Sequence, residues 1–170
     1  IFTLLIIFGM LWGNSILLSR YDGWQNGTRL MILETVFAAG IVLALIFLAF
    51  FIRFTGNQAL FRKPLFWFFS ANTAGIVVCS FLGVMVTSFD LNAGQLKLRY
   101  GILYPWFIAS FLATQVYGIM IAVKTYRKSD DDLLKFQLRT ILTYAAVTFV
   151  LVNVTNILLP NLMQNSQSAL

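Results

Sequence analysis

Lys124-Thr-Tyr-Arg127-Lys128-Ser-Asp130-Asp131-Asp132-Leu-Leu-Lys135-Phe136-Gln137-Leu-Arg139, followed by an apolar run over 140–159 that stops at Pro160, is the stretch on which the fold turns. The apolar run is about as long as the ~20 residues a helix needs to cross a bilayer core. The charged stretch before it holds five of the twelve Lys and Arg residues, more than any other inter-run segment. Loops rich in Lys and Arg stay in the cytoplasm, so 124–139 is placed there and orients every other segment.

Working outward, four more apolar runs reach spanning length. The predicted spans are 1–18, 30–52, 64–89, 101–123 and 140–159. Pro64 opens the third, a position where its missing N–H costs nothing. Tyr100, Tyr104 and Trp106 form an aromatic belt at the start of the fourth. With five spans, the loops 53–63 and 124–139 share one side and carry eight basic residues against four on the other. Both are therefore expected in the cytoplasm. The segment 90–100 is expected as a loop, and Asp130 to Asp132 as solvated charge. The fold class expected is all-α: a polytopic transmembrane helix bundle, forming one domain over 1–170. The chain begins at Ile1, already inside an apolar run, which suggests a piece of a longer protein.

Composition agrees. The chain is 59% hydrophobic and 11% charged, with a mean hydropathy of +0.83; soluble domains carry about 25% charged residues. The net charge of +6 comes from basic residues set between apolar runs, a topology signal rather than a nucleic-acid footprint. The partners expected are the lipid bilayer and other transmembrane helices, with no nucleic acid.

The chemistry available is narrow. There is no histidine and one cysteine, Cys79, which excludes a histidine-bearing triad, an internal disulfide and the common structural zinc sites. No phosphate-cradling glycine loop occurs. Catalytic, metal and cofactor sites are therefore expected to be none, and the chain is not expected to be an enzyme.

Candidate functional positions are polar or small residues inside spans. Ala71, Gly75, Cys79 and Gly83 lie at four-residue spacing in the third span, and Ser110, Thr114, Gly118 and Ala122 do so in the fourth. Residues four apart share a helix face, and small faces let helix backbones approach in lipid. Both ridges are expected to pack on helical neighbours. Asn14, Glu34, Asn72, Gln115, Asn153 and Asn156 need partners in hydrocarbon. Two readings stay open for them: a polar pocket for a ligand or signal, with Asn153, Asn156, Gln115 and Glu34 as contacts, or hydrogen bonds between helices, worth about 0.6 kcal/mol each. For Glu34, near the outer boundary, the simplest expectation is an ion pair with Arg29 or Arg20.

Gly101-Ile-Leu-Tyr104, a span, a basic loop, Phe136-Gln137-Leu138-Arg139, a span and Asn156-Ile-Leu-Leu-Pro160 resemble the seven-helix N-terminal region of bacterial membrane sensor histidine kinases. The aromatic-rich stretch 47–54 is similar to that family's exit from an earlier helix. The resemblance covers about 32–160 and implies signal reception in the bacterial inner membrane and transmission to a cytoplasmic kinase of a two-component system. These five spans would be the second to sixth of seven. The chain departs from the family in holding no phosphoacceptor histidine, no nucleotide-binding motif and no glycine ahead of Gln137. From a different class come a non-catalytic structural subunit of a larger membrane complex and a small transporter or channel. The last lacks the embedded charges of a coupled ion path.

Overall fold

The computed structural model describes residues 1–19, 26–92 and 95–153. In order these form α1 (Phe2–Ser19), α2 (Asn26–Phe54), a 3-10 helix (Gln58–Arg62), α3 (Pro64–Phe81), the antiparallel strands β1 (Val86–Asn92) and β2 (Gln95–Tyr100), α4 (Tyr104–Lys128) and α5 (Asp132–Asn153). The chain divides into two compact units, Ile1–Ile121 and Ala122–Leu170, so α4 belongs to both.

Three helices among the described residues are long and apolar enough to cross a membrane: Gly27–Phe54, Pro64–Phe81 and Tyr104–Lys128. In α1, Thr3–Ser15 is a shorter apolar helix. Five spans, as distinct from three, rest for α1 and α5 on sequence alone.

In the first unit α2 is the central helix. It packs against α1 and α3, and its fully buried residues Ile41, Ala44, Leu48, Phe51 and Ile52 recur at helical spacing. Two apolar clusters form along it. One joins Phe37 and Ile41 to Ile76, Met85, Val86 and Phe107. The other joins Leu48 and Ile52 to Phe69 and Ile121. Residues 104–121 of α4 are tied to this unit by rings. Phe107 meets Phe37 edge-on at 5.2 Å, and Tyr117 stacks on Phe69 at 5.7 Å. Gly40 marks a close approach, where a Cβ would lie 3.2 Å from Trp12 Nε1 and 3.8 Å from Phe107 Cζ.

The third helix ends eight residues earlier than expected, and the described residues, mostly helical as expected, also hold one two-stranded hairpin. Gly83, at φ +72°, takes the left-handed conformation that closes helices and that side-chain-bearing residues avoid. The N–H groups of Leu82 and Gly83 donate to the carbonyls of Cys79 and Ser80. Beyond this stop the chain turns extended. Val86 pairs with Tyr100, and pairs from Ser88↔Arg99 to Asn92↔Gln95 follow, with Thr87 as the extra residue of a bulge. Thr87 Oγ1 donates to the Arg99 carbonyl at 3.1 Å. The register sets Asp90 opposite Lys97. Strand edges carry unpaired backbone groups that lipid cannot satisfy. The hairpin therefore belongs outside the hydrocarbon, and the 18 residues of α3, about 27 Å long, still reach across it.

In the second unit the charged stretch is not a long loop. α4 continues to Lys128 and α5 begins at Asp132, so three residues connect them. Lys, Leu, Gln and Arg are all good helix formers, and Asp131 supplies the start. Its Oδ1 accepts from the N–H groups of Leu133 at 2.9 Å and Leu134 at 3.2 Å. Asp131 is thus a helix cap, and Asp132 in the first turn and Arg127 and Lys128 in the last turn of α4 each sit at the favourable pole of a helix dipole. Asp131→Ala should destabilise the start of α5 by about 1 kcal/mol. Amide hydrogen exchange at Leu133 and Leu134 should quicken, whereas Asp130→Ala, with Asp130 exposed, should leave it unchanged.

Candidate functional site

Among the described residues, several polar side chains of the helices find a partner within their own helix. Ser70, Ser80, Thr35 and Thr114 each donate to the carbonyl four residues back, at 2.8–2.9 Å, and Asn14 Nδ2 does the same to Met10 at 2.8 Å. Such bonds satisfy a hydroxyl or amide within its own helix. Thr73 Oγ1 is buried without a hydrogen-bond partner among the described residues.

A hydrogen bond also joins two helices. Trp106 Nε1, near the start of α4, donates to Asn72 Oδ1 in the middle of α3 at 2.9 Å. Trp106 is more than half exposed, so its ring is free to meet lipid while its N–H serves the amide. The sequence places Trp106 in an interfacial belt and shows no partner for Asn72. The signal was an indole N–H and an amide, each needing a partner, on consecutive spans. The other two belt residues stack on one another, Tyr100 on Tyr104 at 3.8 Å, with Phe37 edge-on to Tyr104 at 6.0 Å.

The two small-residue ridges fare differently. Ser110, Thr114, Gly118 and Ala122 are all buried. A Cβ at Gly118 would lie 3.3 Å from Phe51 Cδ2 and 3.6 Å from Leu48 Cα, so α4 rides on α2 there. On α3, Ala71 and Gly75 are exposed, and a Cβ at Gly75 would meet no heavy atom within 4 Å. Cys79 is half-buried and packs on the cluster around Ile76. Gly83 lies past the end of α3, so it terminates that ridge rather than extending it.

Of the four proposed contact residues, Glu34 is buried in α2 beside the Gly83 turn, where a Cβ at Gly83 would lie 3.7 Å from its Oε1. Arg29, one turn earlier in α2, is also buried. Gln115 is half-buried in α4. Asn153 is the last residue of α5; its side chain and the whole of Asn156 lie outside the described residues, as does the segment after Pro160. No group of three or more Cys, Asp or Glu residues placed to hold a metal ion occurs among the described residues.

The second unit holds an open groove of about 460 Å³ lined by Tyr126 of α4 and by Arg139, Leu142, Thr143, Ala146 and Val147 of α5. Phe136, Gln137 and Arg139 are exposed on the first turns of α5 and Leu138 is buried. The expected cytoplasmic turn at 136–139 is therefore a helical segment of α5, in which successive side chains point about 100° apart and Leu138 takes the buried direction.

No family model, no curated protein and no solved structure matches this chain. The likeness to sensor kinases rests on the sequence positions named above.

Proposed function

We propose that the chain is a membrane-embedded sensory or signal-relay domain of a bacterial inner membrane. It crosses five times, keeps 53–63 and 124–139 in the cytoplasm and has no catalysis of its own. The observation that carries this reading is the three-residue, capped junction from α4 to α5. A slack sixteen-residue loop would absorb a displacement of either helix. A helix continuous from Asp132 to Asn153 instead carries a shift at its outer end to its basic inner end. The resemblance at Gly101 to Tyr104 and Phe136 to Arg139 supports the same reading.

The test is Asn153→Leu with Asn156→Leu in the full-length parent, reconstituted in vesicles and read by melting temperature and by kinase or cyclase output. The expected result is an altered output at unchanged melting temperature. A change in melting alone leaves these amides as helix-to-helix bonds, and a parent with no such output overturns the signalling function. A structural subunit is the second reading. It is favoured by the uncovered α3 face at Ala71 and Gly75, flanked by the exposed side chains of Trp67, Phe68 and Val78, on which a helix of another chain would fit.

A further inference from the structure

The groove on the second unit is chemically graded. Arg139, Leu142, Thr143, Ala146 and Val147 recur at three- and four-residue spacing and form one stripe of α5. At one end stand the Arg139 guanidinium and the Tyr126 phenol, both exposed. Thr143 gives its hydroxyl hydrogen to the Arg139 carbonyl at 2.9 Å, so little polar capacity remains further along. Leu142, Ala146 and Val147 then form a floor of carbon alone. Lys124, Arg127 and Lys128 are exposed on the last turns of α4, the same segment that contributes Tyr126. Three carboxylates oppose these cations, but Asp131 is turned onto the α5 amides.

We propose that this groove is a binding site for one anionic phospholipid of the inner leaflet. The headgroup phosphate lies against Arg139, and an acyl chain lies along Leu142, Ala146 and Val147. The charge complementarity is specific, because a guanidinium offers a planar fork of donors that matches phosphate oxygens. The volume is in the range of small-molecule clefts. The apolar floor is what selects a lipid over a soluble anion, since a free phosphate would use only the mouth. Basic sites beside transmembrane helices on the cytoplasmic side are where anionic headgroups concentrate. The inference rests on α5 entering the bilayer near Arg139 with that end in the cytoplasm, and it is independent of signalling.

The experiment reconstitutes the full protein in vesicles of phosphatidylcholine with phosphatidylglycerol, extracts it in mild detergent and reads retained lipid by native mass spectrometry. Phosphatidylglycerol should be retained in preference to phosphatidylcholine. Arg139→Gln should lower that preference about fivefold, and Arg139→Lys should keep part of it. Ala146→Trp should release lipid of both kinds by filling the floor with the charge intact. Equal retention of the two lipids by the parent overturns the site, as does a preference unmoved by Arg139→Gln and Ala146→Trp. Displacement by inorganic phosphate alone would reduce it to a simple anion site and overturn it too. Ser129→Cys in a Cys79→Ser background should react only from the inner side. Reaction from the outer side, with lipid preference retained, would overturn the topology and the inner leaflet while leaving the groove.

Discussion

Replacing Gly101 with alanine is expected to unseat the hairpin from the first unit and to lower stability by about 3 kcal/mol or more, the upper end of overpacking costs. Gly101 is buried, and a Cβ there would collide with the Val84 carbonyl oxygen and lie 2.8 Å from its carbon. Both are backbone atoms, so no side chain can turn aside to make room. The Gly101 N–H also donates to the Met85 carbonyl at 2.8 Å, a bond that closes the base of the hairpin. Relieving the collision means moving Val84 and Met85 away. Met85 and Val86 are both buried in the cluster with Phe37, Ile41 and Phe107, so the motion opens apolar packing as well. Thermal unfolding of the detergent-solubilised protein measures the effect. Gly13→Ala is the control, because a Cβ at Gly13 meets nothing within 4 Å. A Gly101→Ala variant that melts with the parent would show that the two backbone segments do not approach as described.

Gly101 also shows what could be read before the structure. In the sequence it figures only in a resemblance; its physical role is a contact between residues seventeen apart, which no local pattern displays. Helix starts set by local chemistry were legible. Pro64 opens α3 as expected, and α2 over Asn26–Phe54 brackets the predicted 30–52. The end of α3 was not, because Val84, Met85 and Val86 continue the apolar run and hydropathy does not distinguish strand from helix. The signals available were Gly83 and the polar stretch holding Asn92 and Gly94 between two alternating segments. The start of α5 was missed for the opposite reason. Its charge reads as loop by hydropathy, whereas Asp131 followed by helix-forming residues is a cap followed by a helix. Of the candidate site, the four-residue ridges were visible, but spacing states only which residues share a face. It does not state what stands opposite, and the difference between Gly118 and Gly75 is entirely of that kind.

That difference predicts opposite outcomes for the same substitution. Gly118→Leu is expected to destabilise by about 1–3 kcal/mol. Its side chain would enter space already held by Leu48 and Phe51, both fully buried on α2, and would push α4 from the helix that most of the first unit packs on. The better helix propensity of leucine, up to about 1 kcal/mol over glycine, offsets only part of this. Gly75→Leu has the propensity gain and no collision, since nothing lies within 4 Å of its Cβ position, so its melting temperature should equal or exceed the parent's. Equal behaviour of the two variants would mean that α4 does not pack on α2 through Gly118. The same pair separates the two functional readings when the size of the purified complex is measured alongside melting. If the α3 ridge meets only lipid, Gly75→Leu leaves the complex intact. If it holds a helix of a neighbouring subunit, backbone approach at Gly75 is what the small side chain permits. Gly75→Leu would then release that partner while this chain melts as before, an outcome that Gly118→Leu, acting inside the chain, does not produce.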